Sequence, residues 1–246
     1  MPADLADFDH PLLGHVRLVA NERARSFIFR YPNREELRVT CPPGVRRTDV
    51  EAVLRSRESD LLRLRGRAAP RETFVPGFRI EAPLYSFALA QSDLSALRLE
   101  SWPAGSPSAY RLLLPCRYDT SRPEVQAAVR QVALNTMRRT ALRSLPPLVE
   151  AQARQHGFAY GAVHVRKMHS RWGSCSSAKD ISLSLFLVLL PLHLVNYVVC
   201  HELCHTVEMN HGPRFWQLLQ RATGTDPRLL RRELAGYGLR LRALFR

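Results

Sequence analysis

Apolar and polar positions alternate along the first half of the chain, and the period then changes. Alternating runs at Val16-Arg17-Leu18-Val19, Ser26-Phe27-Ile28-Phe29-Arg30-Tyr31, Leu37-Arg38-Val39-Thr40 and Tyr110-Arg111-Leu112-Leu113-Leu114, bounded by Pro and Gly, predict strands of an antiparallel sheet. Among them, Val50, Val53, Leu54, Leu61, Leu62 and Leu64 form a stripe that predicts one helix over residues 48–67, with Thr48 or Asp49 as N-cap. Residues 122–156 carry a long helical pattern, with Pro146-Pro147 expected to break or restart it. Residues 181–188 read as a buried strand, and the apolar run from Leu189 to Cys200 as a helix opened by Pro191. The expected class is α+β: a β-rich N-terminal region at 1–121, then a mainly helical domain at 122–246, with no internal repeat.

That apolar helix runs into His201-Glu202-Leu203-Cys204-His205, the HExxH pattern. Residues four apart share one helix face, so both imidazoles can reach one metal while Glu202 stands beside the water it activates. Asn210-His211-Gly212-Pro213-Arg214-Phe215-Trp216 reads as a turn and a new helix start, which returns His211 toward the other two. Three nitrogens with one open position describe a catalytic zinc site, one ion per chain, rather than a closed Cys-rich structural site. Cys200 and Cys204 lie about 100° round the helix from the histidines, which favours buried thiols over a mixed ligand set. Tyr197, one turn before His201, is a candidate for the developing oxyanion and equally a packing residue. His193 reads as an orienting or surface residue, and His164 and His169 as cleft or strand-edge positions. Cys175 reads as a core thiol.

Arg171-Trp172-Gly173-Ser174-Cys175, Ile181-Ser182-Leu183, the stretch from Tyr197 to His205, and His211-Gly212-Pro213-Arg214-Phe215-Trp216 together resemble the YgjP-like zinc metallopeptidases, relatives of the SprT and WLM zincin domains. The resemblance implies a zincin-like domain with a small sheet and an active-site helix. It also implies His201, His205 and His211 as metal ligands, Glu202 as catalytic acid/base, and a site-shaping role for Arg171. Ser184 departs from the asparagine expected in that strand. Glu208 stands where metzincins have glycine, and no Met-turn is evident downstream. Glu208 is instead a candidate to orient a histidine, and Glu233 is the alternative third ligand of a gluzincin arrangement.

With 46% apolar residues in 246, the chain has material for a full core. Its net charge of +14 is carried almost wholly by arginine, which means either an anionic partner or an Arg preference spread over solvated faces. The densest run, Arg228, Arg231, Arg232, Arg240, Arg242 and Arg246, interleaves with leucines and also fits an amphipathic helix. Five cysteines without framework spacing, and a first segment without signal-peptide character, lead to the expectation of reduced thiols in the cytoplasm. Residues 181–200 lack charge, but Ser182, Ser184, Pro191, His193 and Asn196 interrupt them, so no membrane span is expected. Three functions fit: a zinc metallopeptidase acting on protein or peptide; a metal-dependent nucleotide phosphoanhydride hydrolase using Arg166, Lys167 and Arg171; and a nucleic-acid-associated protein with a secondary metal site.

Overall fold

The computed structural model describes residues 6–68, 73–103, 105 and 108–245, and these fall into two compact units, one of Met1–Glu72 with Leu239–Arg246 and one of Thr73–Gly238. The first unit holds a four-stranded sheet, β1 (Phe8–His10), β2 (Gly14–Ala20), β3 (Ile28–Arg30) and β4 (Glu36–Cys41), in the order β1-β2-β4-β3. The outer pairs are antiparallel, but β2 and β4 run parallel, with Val16 opposite Leu37 and Leu18 opposite Val39. Leu13, Val16, Leu37, Val39, Val50, Leu54 and Leu61 form its core. Gly14 turns the chain into β2 at φ +81°, where a Cβ would sit 2.5 Å from the Glu35 carbonyl oxygen, so only glycine fits.

The single helix expected over 48–67 is two, α1 (Arg47–Ser56) and α2 (Glu58–Arg67), because Arg57 leaves helical geometry at φ −116°, ψ 13°. The break changes the phase of the stripe: Leu61 is buried, whereas Leu62 and Leu64 face outward. The N-cap is Arg46, and Asp49 accepts from the Arg46 backbone N–H at 3.1 Å.

The second unit opens with β5 (Arg79–Ala82), β6 (Tyr85–Ser92), β7 (Arg98–Ser101) and β8 (Ala109–Pro115), in the order β5-β6-β8-β7. Here too the outer pairs are antiparallel and the central pair, β6 and β8, is parallel. The strands thus form two mixed sheets of identical order, a repeat of topology that corrects both the single antiparallel sheet and the absence of a repeat expected above.

Helix α3 (Pro123–His156) comes next and runs unbroken through Pro146 and Pro147. Those prolines cost the hydrogen bonds to the carbonyls of Leu142 and Arg143, both exposed residues, so water can serve in place of the missing N–H groups. The Tyr85 hydroxyl donates to the Ala133 carbonyl at 3.1 Å and lies 2.8 Å from Thr136 Oγ1. The buried Gln126 amide exchanges hydrogen bonds of 2.8 Å with both backbone groups of Phe74.

A third sheet has the order β10-β11-β9, from β9 (Val163–Arg166), β10 (Gly173–Cys175) and β11 (Ile181–Ser184). The expected strand over 181–188 stops at Ser184, whose side chain accepts from the Phe186 N–H and starts a 3-10 turn, Leu185–Leu189. Three helices complete the chain: α4 (Leu192–Cys204), α5 (Pro213–Thr223) and α6 (Pro227–Phe245). Helix α4 packs against α3, α5 and β10. Among the described residues no helix is long and apolar enough to cross a membrane.

Candidate metal centre

Pro191, with φ fixed near −54°, opens α4, and the apolar residues after it bury most of the helix. His201 sits in the last turn and His205 at the C-cap, still in αR geometry, so the i, i+4 relation survives the helix end. The chain then turns, and Gly212 and Pro213 start α5. The Trp216 indole donates to the His211 carbonyl at 3.0 Å and so ties the turn to the new helix.

The three imidazoles converge. His201 Nε2 lies 3.3 Å from His205 Nε2 and 3.1 Å from His211 Nε2. One ligand atom from each lies within 4.8 Å of the others, a group able to hold a metal ion. His205 Nδ1 is 3.1 Å from the Glu208 carbonyl, and since a carbonyl only accepts, Nδ1 carries the proton and Nε2 offers its lone pair to the cluster. Glu208 therefore orients a histidine through its backbone, not through its carboxylate. Phe215 lies beneath the cluster, with ring centroids 4.5 to 4.9 Å from all three histidines. Burial, then the neighbouring imidazoles, holds the His201 pKa down to about 3, so this ring stays neutral and able to ligate.

Glu202 is buried, and burial pushes its pKa up to about 8 against the opposing pull of the Arg171 guanidinium. Its carboxylate lies against the Gly173 backbone: a Cβ there would fall 2.5 to 2.8 Å from Oε1, Cγ and Cδ of Glu202. The glycine of the Trp-Gly-Ser stretch thus leaves the space that the carboxylate fills. A cavity of about 450 Å³ opens onto the cluster, lined by Trp172, Gly173, Tyr197, His201, Glu202 and Arg231 among others. Tyr197 lines it with its ring centroid 6.0 Å from that of His201.

Other expected residues lie elsewhere. Arg166, Lys167 and Arg171 are exposed and do not line the cavity, although the Arg171 charge acts on Glu202. Glu233 is not a ligand: both its oxygens lie on His193 Nε2, at 2.9 and 3.0 Å. Cys204 is buried outside the cluster, and Cys200 donates to Gln152 Oε1 at 3.2 Å. His169 lies against the Phe186 ring. Ser184 donates to the Met168 carbonyl at 2.9 Å, so its hydroxyl serves the turn. In the sequence Arg231 belongs only to the C-terminal basic run, with no motif tying it to the histidines, and nothing marks Phe215 as packed against all three.

A comparison with curated proteins finds no match. Among solved structures, the metallopeptidase zymogen abylysin of Pyrococcus abyssi is similar, at 17% identity over 38% of this chain and 93% of that one. Its TM-score of 0.35 is too low to assign a fold. The YgjP-like metallopeptidase domain, by contrast, matches residues 25–235, a span that includes every residue of the cluster, and the chain belongs to the YgjP-like metallopeptidase family.

Proposed function

We propose that this chain is a zinc-dependent peptidase in which His201, His205 and His211 hold one ion and Glu202 moves the proton. The observation that carries the reading is the convergence of three imidazole Nε2 atoms beside a buried carboxylate at a cavity. The donor set fits the ion. Tetrahedral coordination with Zn–N bonds of ~2.0–2.1 Å places two nitrogens roughly 3.3–3.4 Å apart, and the cluster's close pairs lie at 3.1 and 3.3 Å. All-imidazole donors also suit other divalent ions, so zinc is the specific part of the proposal.

When bound, such an ion supplies Lewis-acid polarisation of a carbonyl and a water of lowered pKa. Glu202 would take a proton from the attacking water and return it to the leaving amine; burial raises its proton affinity, and the charge of a bound cation would oppose that rise and keep the carboxylate free to act as the base. Gly173 leaves room for the carboxylate, and the Phe215 ring packs against all three imidazoles. Tyr197, which lines the cavity, would donate a hydrogen bond to the developing oxyanion, and the Arg171 guanidinium opposes the effect of burial on Glu202. The five cysteines are unpaired, which fits a reducing, cytoplasmic setting. The nucleotide reading calls for Arg166, Lys167 and Arg171 to hold phosphates near the metal, and none of the three lines the cavity.

The test is metal content followed by a substrate panel. Chain purified without chelators is expected to carry about one zinc, lost in His205→Ala. It is expected to cleave a casein-like protein but not nucleoside triphosphates, with cleavage abolished in Glu202→Gln. Triphosphate hydrolysis that depends on Glu202 would transfer the site to the other chemistry.

A further inference from the structure

The cavity beside the histidines leads onward. It shares His211, Trp216 and Arg231 with a second cleft, of about 1440 Å³, which the start of α5 and the first turns of α6 also line. Arg228, Arg231 and Arg232 line this cleft against a single carboxylate, Asp226, whose Oδ1 already accepts from the Arg228 backbone N–H at 2.9 Å. The next carboxylate along α6, Glu233, is taken by His193. Among the described residues no ion pair joins any of the three arginines to a carboxylate, and all three are exposed. A net positive cleft that opens at the reaction centre, with one guanidinium lining both spaces, concentrates anionic groups there.

We propose that Arg231 is a specificity-determining residue that receives a carboxylate of the peptide substrate beside the scissile bond, with Arg228 and Arg232 extending the same preference along the cleft. The substrate class is then acidic peptide, and the carboxylate is either an Asp or Glu side chain or the chain's own C-terminus. Guanidinium and carboxylate match as a two-pronged, charge-assisted pair, which a lysine at the same place reproduces only as a point charge. Trp216, shared by both spaces, offers a flat apolar wall for the neighbouring substrate residue. The proposal rests on the peptidase reading for the identity of the ligand, but not for the binding itself.

The test separates the two. Zinc-loaded full-length Glu202→Gln chain is titrated with fluorescent peptides that differ only in a central glutamate or glutamine, each with a free or an amidated C-terminus. Acidic peptides are expected to bind about 10- to 100-fold more tightly, with the difference shrinking as salt rises. Arg231→Gln in the same background should erase the difference, Arg231→Lys should restore part of it, and Arg232→Gln should reduce it less. Tighter binding of the free than of the amidated C-terminus, whatever the central residue, assigns the terminal carboxylate; tighter binding of glutamate than of glutamine that persists on amidation assigns the side chain. Equal binding of acidic and neutral peptides, or a preference that survives Arg231→Gln at unchanged zinc content, overturns the proposal. So does an oligonucleotide that displaces the acidic peptides at lower concentration than they bind, since the cleft would then serve phosphates. Wild-type cleavage of casein is scored in parallel. Selective peptide binding without cleavage sinks the peptidase reading and leaves the cleft standing, whereas cleavage without selectivity does the reverse.

Discussion

The sheet β1–β4 and the sheet β5–β8 share strand order and strand direction, but the helices after their last strands differ. Through their registers, Val16, Leu37 and Val39 of the first correspond to Phe87, Tyr110 and Leu112 of the second. Phe29 opposite Val39 likewise corresponds to Leu99 opposite Leu112. After β4 come two helices of ten residues each, and their buried positions, Val50, Leu54 and Leu61, join the core beneath the sheet. After β8 comes one helix of 34 residues, whose buried face continues from Val125 to Ala153 and meets both the 3-10 turn and α4. One arrangement of strands therefore packs once against two short helices and once forms the base of a long helix that meets the histidine-bearing α4. The histidine cluster is thus set apart by the longer buried helical face after β8, since the two sheets share one strand order.

The largest expected effect falls on the residues that only the second unit carries. Glu202→Gln is expected to lower kcat by about 10²- to 10⁴-fold with zinc retained; full activity in this variant would remove Glu202 from the mechanism. Next, Met137→Ala on α3 and Leu37→Ala in the first sheet empty sites that are both fully buried, and each should cost about 2–5 kcal/mol of stability by chemical denaturation. Only Met137→Ala is expected to lower kcat or zinc occupancy at temperatures where both proteins remain folded. Equal kinetic damage from the two would erase the contrast between the sheets.

Gly173→Ala is a finer probe. The added methyl displaces the Glu202 carboxylate, and kcat should fall by roughly 10- to 100-fold while zinc content and KM change little. The smallest effect expected is that of Tyr85→Phe, which removes the hydroxyl from between Ala133 and Thr136 and should cost about 0.5–1.5 kcal/mol. The corresponding hairpin position in the first sheet is Gly14, which has no such tie to its helices.

Much of the cluster was legible because its spacing is local: His201, His205 and His211 are placed by one helix, one turn and the next helix start. Arg231 was not, because its place depends on α6 returning to α4 from 30 residues later in the chain. Strand positions were legible from alternation, but alternation is the same in parallel and antiparallel pairs, so the central pairs β2–β4 and β6–β8 were misread. The repeat was hidden because equivalent positions share only an inward direction: Val16 matches Phe87, and Leu37 matches Tyr110. Pro146-Pro147 overstated a break because the freed carbonyls lie on the wet side, and nothing apolar announced the real break at Arg57.

Helix α3, about 50 Å long at 1.5 Å per residue, also constrains how the chain can be dissected. Its first half is held by Tyr85 and by the Phe74 backbone, and later parts of it lie under the 3-10 turn and α4. A fragment that starts at residue 122 would keep the histidines but bare the underside of their supporting rod, leaving Val129, Ala133 and Met137 in water and Gln126 without the backbone it clasps. Amide hydrogens along the buried face of α3 are accordingly expected to exchange together, in a single opening that also exposes β6 and β8. Truncation for expression or crystallisation should therefore begin ahead of Phe74, where the clasp begins.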